Sequence, residues 1–385
     1  MDCLRALELY SGIGGMHYAL KESGVSAEVA AAVDVNTTAN QIYKHNFPDT
    51  TLWSKTIEGI TLSDFDKLEF DMILMSPPCQ PFTRIGLQGD ISDPRAKSFL
   101  YILDLLPRLS KLPRFILLEN VKGFETSSAR DALLTTLRDC GYSFQEFLLT
   151  PTALGIPNSR LRYFLIAKAP PDSFSFQTSS EILESFPSSL SVESSSDSTT
   201  SSVSPSECPH SANGEDGHIL YKMETAKDAQ RKIGQNNDQT VRRIQEFMEV
   251  QGEDDDVERY LLPPKTLLRY ALLMDIVRPT CRRSVCFTKG YGHYVEGTGS
   301  VLQSCVEEDM EEAFSSLEEQ SDEEKLRRLQ RLRLRYFTPR EIANLMGFSP
   351  DFTFPEDISI KQRYRVLGNS LNVHVVARLI KLMVS

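Results

Sequence analysis

Four short apolar runs in the first 168 residues, Leu4–Tyr10, Ala27–Val33, Phe70–Met75 and Arg114–Leu118, each stop abruptly in a turn and are separated by stretches of helical character. Runs of this length suit strands covered on both faces, and strands that alternate with helices build a mostly parallel sheet. The chain is therefore expected to be α/β, a Rossmann-like sheet that offers ligands its carboxyl edge. The residues just past each run then carry the functional argument.

The third run leads into Ser76-Pro77-Pro78-Cys79-Gln80. Two prolines fix φ at successive positions and cannot continue a ladder, so Cys79 falls on a stiff loop at the sheet edge. The following Gln80-Pro81-Phe82-Thr83-Arg84 is polar and basic, a setting that lowers a thiol pKa and suits a nucleophile. A packed structural thiol is the competing reading of any single cysteine.

The first run ends in Ser11-Gly12-Ile13-Gly14-Gly15, a turn whose glycines let backbone approach a ligand. About twenty residues further on, Asp34 closes the second run, where an acid can bond a ribose diol. The spacing is not the G-x-G-x-x-G of nicotinamide enzymes, so a nucleoside without a pyrophosphate fits better, and an NAD-linked enzyme is a distant alternative. The fourth run stops at Glu119, a candidate general acid if it faces Cys79 and otherwise a helix cap. In Asn158–Ile166, strand periodicity puts Arg160 and Arg162 on one face, an expensive arrangement unless an anion or polar base edge lies nearby.

With 385 residues, 41% hydrophobic and 25% charged, the chain can bury a full core. The N-terminal residues lack the basic and apolar regions of a leader, and no apolar stretch reaches spanning length, so no membrane role is expected. Seven scattered cysteines suggest reduced thiols inside the cell, cytoplasmic or also nuclear, and none of their spacings makes a metal site. Taken alone, the formal net charge of −11 opposes a polyanionic partner. Yet residues 169–221 hold eight acids and residues 301–324 ten, with no Lys or Arg in either; without them the remainder carries +7. A nucleic-acid partner is then plausible.

These segments also suggest an organisation. Residues 1–168 form the catalytic and cofactor-binding part; 169–221, with sixteen serines among residues 173–206, a disordered linker; 222–300 a small target-recognition region; 301–324 an acidic flexible segment; and 325–385 a return to the first part. The run Lys325–Arg340 holds seven Lys or Arg and no acids, as a basic helix would. Ser370 can cap a C-terminal helix in which Val373, Val376, Ala377 and Ile380 share one face.

Taken in order, Ser11-Gly12-Ile13-Gly14-Gly15, Ser76-Pro77-Pro78-Cys79-Gln80, Glu119-Asn120-Val121, Arg160-Leu161-Arg162 and Gly368-Asn369-Ser370 resemble the motif set of the cytosine-C5 methyltransferases. The stretch Cys286-Phe287-Thr288 resembles a hallmark of that family's small eukaryotic branch, which acts on tRNA(Asp), and Cys286 itself is read as a packed thiol. The resemblance implies S-adenosylmethionine as cofactor and a tRNA anticodon-loop cytosine as substrate. It implies Cys79 as nucleophile, Glu119 as the partner of N3, and Arg162 with Arg160 as holders of the base carbonyl. For the cofactor it implies Ile13, Gly14, Gly15, Asp34, Ile57, Glu58, Ser76 and Ser370. Arg84, Lys122, Arg282, Arg283, Lys289, Lys361, Arg363 and Arg365 lie near the motif loops and are expected to meet phosphates. A DNA cytosine methyltransferase and a catalytically silent binding protein are the alternatives.

Overall fold

The structure, a computed structural model, describes residues 3–78, 96–187, 225–249 and 257–385. Its first part runs β1 (Leu4–Leu9), α1 (Gly15–Glu22), β2 (Ala27–Val33), α2 (Thr37–Asn46), β3 (Leu52–Trp53), α3 (Leu62–Asp66), β4 (Met72–Met75), α4 (Lys97–Leu105), β5 (Phe115–Val121), α5 (Ser128–Asp139), β6 (Ser143–Leu149) and β7 (Arg162–Lys168). The sheet order is β3-β2-β1-β4-β5-β7-β6. The strands from β3 to β5 pair in parallel, and β7 runs antiparallel to both of its neighbours. The mostly parallel α/β sheet is thus the one the apolar runs imply.

Period-two alternation explains why those runs are apolar throughout. In β4, Met72 and Leu74 enter one core while Ile73 and Met75 enter the other; in β5, Phe115 and Leu117 oppose Ile116 and Leu118. One face is covered by α1, α2 and a C-terminal helix, the other by α4 and α5. Both faces being dry, a polar residue in a strand has to be explained. Chain order reverses between β1 and β4, with β2 on one side and β5 on the other, which opens a crevice at their carboxyl ends.

The rest of the chain adds α6 (Ala226–Asn237), α7 (Pro264–Tyr270), β8 (Ile276–Val277), β9 (Val301–Gln303), α8 (Met310–Phe314), α9 (Asp322–Arg331), β10 (Leu334–Tyr336), α10 (Pro339–Leu345), α11 (Ile360–Gly368) and α12 (Val373–Val384). Strands β10, β9 and β8 form a second sheet over a third core that includes Leu262, Met274, Val301, Phe314, Leu317, Leu329 and Leu334. Among the described residues, no helix is long and apolar enough to cross a membrane.

Three expectations about organisation are corrected here. Residues 169–187 are not a free linker: Leu183 bridges to β6 with Leu148 N to Leu183 O at 2.8 Å, and Phe174, Phe176 and Phe186 pack on the core. An exposed edge strand needs its polar groups covered, and the few apolar residues among the serines do that. The remainder of the expected linker, residues 188–221, lies outside the described residues. Second, the small region does not end at 300, because its core and sheet take in 301–336. The segment 301–324 carries β9 and α8, and its acids serve as counter-charges: Arg331 meets Glu308 at 2.6 Å, and Arg327 and Arg328 meet Glu324 at 2.8 and 2.7 Å. Third, Lys325–Arg340 is not one basic helix but the end of α9, then β10, then the start of α10. Its Arg335 is buried against Glu341 through two bonds of 2.7 and 2.8 Å. A basic run matched by acids elsewhere in the chain leaves less cationic surface than its composition suggests.

Candidate active site

At the carboxyl edge a cleft of about 340 Å³ is built from the ends of β1, β2, β4, β5 and β7 together with residues 366–371. The turn after β1 forms its floor. Gly14, at φ +87°, could not carry a side chain, since a Cβ would lie 2.5 Å from the Phe47 ring. A Cβ on Gly15 would press on Leu371 and Ser370 at 3.1 Å, so the glycine turn and the C-terminal segment approach as closely as backbone allows. Tyr10 holds φ +58° at the end of β1, an unusual conformation for a side-chain-bearing residue, and its carbonyl accepts from Ser76 Oγ at 3.2 Å.

Asp34 lines the cleft, half-buried, and its two oxygens accept from Gly12 N and Asn36 N at 2.8 Å each. A carboxylate has about four lone-pair sites, so each oxygen can still accept another bond. Val35 beside it is 61% exposed, an apolar face at the cleft rim. Ile13, Ser76 and Ser370 also line the cleft. Ile57 and Glu58 do not: Ile57 is buried in the core under α4, and Glu58 lies on the adjoining 3-10 turn, near enough to raise the Tyr10 phenol along with the burial that dominates that shift.

Pro77 and Pro78 line the same cleft, and the Pro77 carbonyl is held by Asn120 Nδ2 at 3.4 Å. Cys79 and Arg84 lie outside the described residues, so the structure speaks only for the shelf that leads to them. At the end of the neighbouring β5 Glu119 is buried, and Arg162 Nε stands 3.5 Å from its Oε1. Burial pushes the Glu119 carboxyl up, and the charges of Arg162 and Arg160 only partly oppose it.

The two arginines have different duties. Strand β7 begins at Arg162, so Arg160 precedes it, and its guanidinium is spent on main chain: Phe287 O at 3.1 Å, Gly368 O at 3.3 Å and Ser370 O. Arg160 therefore ties the C-terminal segment and the Cys286-Phe287-Thr288 stretch to the catalytic sheet. Arg162 lines the cleft, and among the described residues it bonds Leu161 O at 2.9 Å and the Cys286 thiol at 3.7 Å beside its pairing with Glu119. Cys286 is more than packing. Burial pushes its thiol up, but the facing Arg160 and Arg162 outweigh burial and bring it below its ordinary value. Neither this placement nor the Tyr10 and Val35 contributions were found from sequence; position directly after a strand was the available signal for the last two.

The expected phosphate contacts divide. Lys122, Lys289, Lys361 and Arg365 are exposed. Arg283 is not available: it is buried and grips Asp275 at 2.8 and 3.1 Å. Arg282 bonds Val241 O and Gln239, and Arg363 bonds Ile358 O at 2.8 Å and Pro355 O at 3.3 Å while lying over the Phe354 ring. Guanidiniums satisfied by carbonyls hold loops in place rather than reach for phosphate. The C-terminal cap is also reassigned, because Asn372 Oδ1 accepts from Val375 N at 3.1 Å and caps α12, while Ser370 faces the cleft. Helix α12 packs along α1, directly behind the glycine turn.

A glycine turn, an acidic strand end, a proline-stiffened shelf and a buried Glu–Arg pair surround one crevice at the carboxyl edge of a mostly parallel sheet. The chain belongs to the C-5 cytosine-specific DNA methylase family, which it matches over residues 4–385. It is 59% identical over 392 residues to a Bos taurus tRNA (cytosine(38)-C(5))-methyltransferase and 59% identical over 397 residues to that of Homo sapiens, with all of each chain covered. A crystal structure of a Spodoptera frugiperda DNMT2 mutant superposes with a TM-score of 0.78 at 38% identity, covering 99% of this chain and 100% of that one.

Proposed function

We propose that this chain transfers the methyl group of S-adenosylmethionine to C5 of a cytosine in tRNA, at position 38, the position that the names of its mammalian relatives carry, and, as the motif resemblance implies, in the anticodon loop of tRNA(Asp). The observation that carries the reading is the buried Glu119 carboxyl beside Arg162 in the same cleft as the glycine turn. The residues present fit the cofactor: the glycine turn admits its amino-acid end, Asp34 retains lone pairs for ribose hydroxyls, and Val35 offers an apolar face for the base. Bound there, S-adenosylmethionine supplies a methyl group on a positively charged sulfur.

Cytosine C5 is a poor nucleophile until a thiolate adds to C6. In the proposed step the Cys79 thiolate forms a bond to C6, the C5–C6 π pair shifts to C4–C5, the C4–N3 π pair settles on N3, and protonation at N3 accommodates it. Burial raises the Glu119 carboxyl toward its protonated form, and in the proposed step Glu119 gives its proton to N3. Arg162 faces the base carbonyl, where its fixed charge stabilises the electron-rich ring. Once C5 has accepted the methyl group, the N3 proton returns to Glu119, the C5 proton passes to a water, and departure of the Cys79 thiolate from C6 restores the aromatic ring. A loop cytosine costs less to extrude than a paired one, which favours RNA.

Labelled S-adenosylmethionine offered with a tRNA(Asp) transcript or duplex DNA tests this reading. Label is expected in the tRNA, and Cys79→Ala is expected to reduce it to background. Label confined to DNA overturns the substrate, and full transfer by Cys79→Ala overturns the mechanism. Gly14→Ala adds a side chain in a left-handed conformation, a strain of roughly 1–2 kcal/mol before its overlap with Phe47. Calorimetry should find S-adenosylmethionine binding weakened about tenfold.

A further inference from the structure

Tyr294 is 63% exposed, the most exposed large apolar side chain among the described residues. Aromatic rings are expensive to leave in water, and this one is held out rather than left loose. Its loop is pinned from beneath: Tyr294 N bonds Gly290 O at 2.9 Å, Thr298 Oγ1 bonds Tyr294 O at 2.7 Å, and the neighbouring Tyr291 hydroxyl bonds Ser300 O at 2.7 Å. The ring of His293 stands edge-on to Tyr294 with centroids 4.5 Å apart.

The loop also sits at the mouth of the cleft. Gly368, which lines the cleft, touches the Thr288–Lys289 backbone so closely that a Cβ there would overlap it, and a Cβ on Gly292 would lie 3.0 Å from the Tyr364 ring. Lys289 on this loop and Lys361 and Arg365, one turn apart on α11, are exposed and form no ion pair among the described residues. One acid, Glu296, interrupts residues 288–298.

We propose that Tyr294, supported by His293, is a stacking platform for an unpaired RNA base next to the extruded cytosine, with Lys289, Lys361 and Arg365 meeting the flanking phosphates. It rests on the tRNA reading above and makes Tyr294 a positioning residue, since it touches neither cofactor nor the reacting ring. A pinned aromatic beside cationic side chains is how single-stranded segments are held, because every base has a π face and every linkage a charge. The ordering cost of the ring has already been met by its loop.

Steady-state methylation of a tRNA transcript at several salt concentrations tests the platform. Tyr294→Ala should raise KM about 5- to 150-fold with little change in kcat or in S-adenosylmethionine affinity, and Tyr294→Phe should restore KM. The Tyr294→Ala defect should persist across salt, whereas Lys361→Ala should flatten the salt dependence by about 0.7 in log–log slope. Unchanged KM in Tyr294→Ala, with wild-type protein labelling tRNA, overturns the platform and leaves the tRNA reading standing. Wild-type protein that labels no RNA overturns the tRNA reading itself.

Discussion

Glu119→Gln lowers kcat for methyl transfer by about 10²- to 10⁴-fold, the range expected when a positioned acid is lost, and leaves S-adenosylmethionine affinity unchanged. Glutamine keeps the shape of the side chain and can still donate a hydrogen bond to N3, but it cannot hand over a proton. The pH dependence provides the stricter test. Glu119 acts when protonated, and burial raises its pKa, so its contribution is present at low pH and is lost as pH rises through that raised value. The charge of Arg162, 3.5 Å away, opposes the shift. Arg162→Met removes that opposition, so the alkaline limb of kcat should move to higher pH even as the rate falls. An unmoved limb, together with near-normal turnover by Glu119→Gln, removes Glu119 from proton donation.

Glu8→Gln should make the protein more stable than the wild type at pH 9 and should flatten its stability across pH 5–9. Glu8 lies on β1 with no exposure at all, and Tyr43 Oη donates to its Oε2 at 2.7 Å while His17 Nδ1 sits 2.9 Å from the same hydroxyl. Burial pushes the Glu8 carboxyl up to about 8, against the Tyr43 bond that favours the charged form. Burial likewise takes His17 down to about 3, so the imidazole is neutral. The folded state therefore holds a proton that the unfolded chain releases near 4.5. Stability from this group is complete below that value and is lost as pH climbs to about 8, on the order of 4–5 kcal/mol in all. Denaturant unfolding of both proteins at a series of pH values measures the difference; parallel curves would mean that Glu8 is ionised in the fold. Because His17 stacks on Phe47, the ring that faces Gly14, the same titration should loosen the glycine turn.

How much was legible in the sequence varies by residue. The strands were readable because a run covered on both faces must be apolar at every position, as Met72 to Met75 is. The glycine turn and Glu119 were readable because they directly follow such runs. Arg283 was misjudged because charge marks it as a surface residue, while its partner Asp275 is eight positions away and meets it only after the chain folds. The Lys325–Arg340 run was misjudged for the same reason: Glu308, Glu324 and Glu341 convert its charges into internal ion pairs. Cys286 was read as a packed thiol alone, since the two guanidiniums that face it come from more than 120 residues earlier.

By itself, then, the sequence determined the sheet, the order of its strand ends and the chemical groups placed on them, because hydrophobic periodicity and backbone stereochemistry are local properties. Only the tertiary structure decided which cations remain exposed and which are spent on carbonyls, that Arg160 braces while Arg162 faces the cleft, and that Tyr294 stands at its mouth. Those outcomes depend on distances between residues remote in the chain, and an electrostatic or hydrogen-bonding partner has no signature until folding brings it within reach.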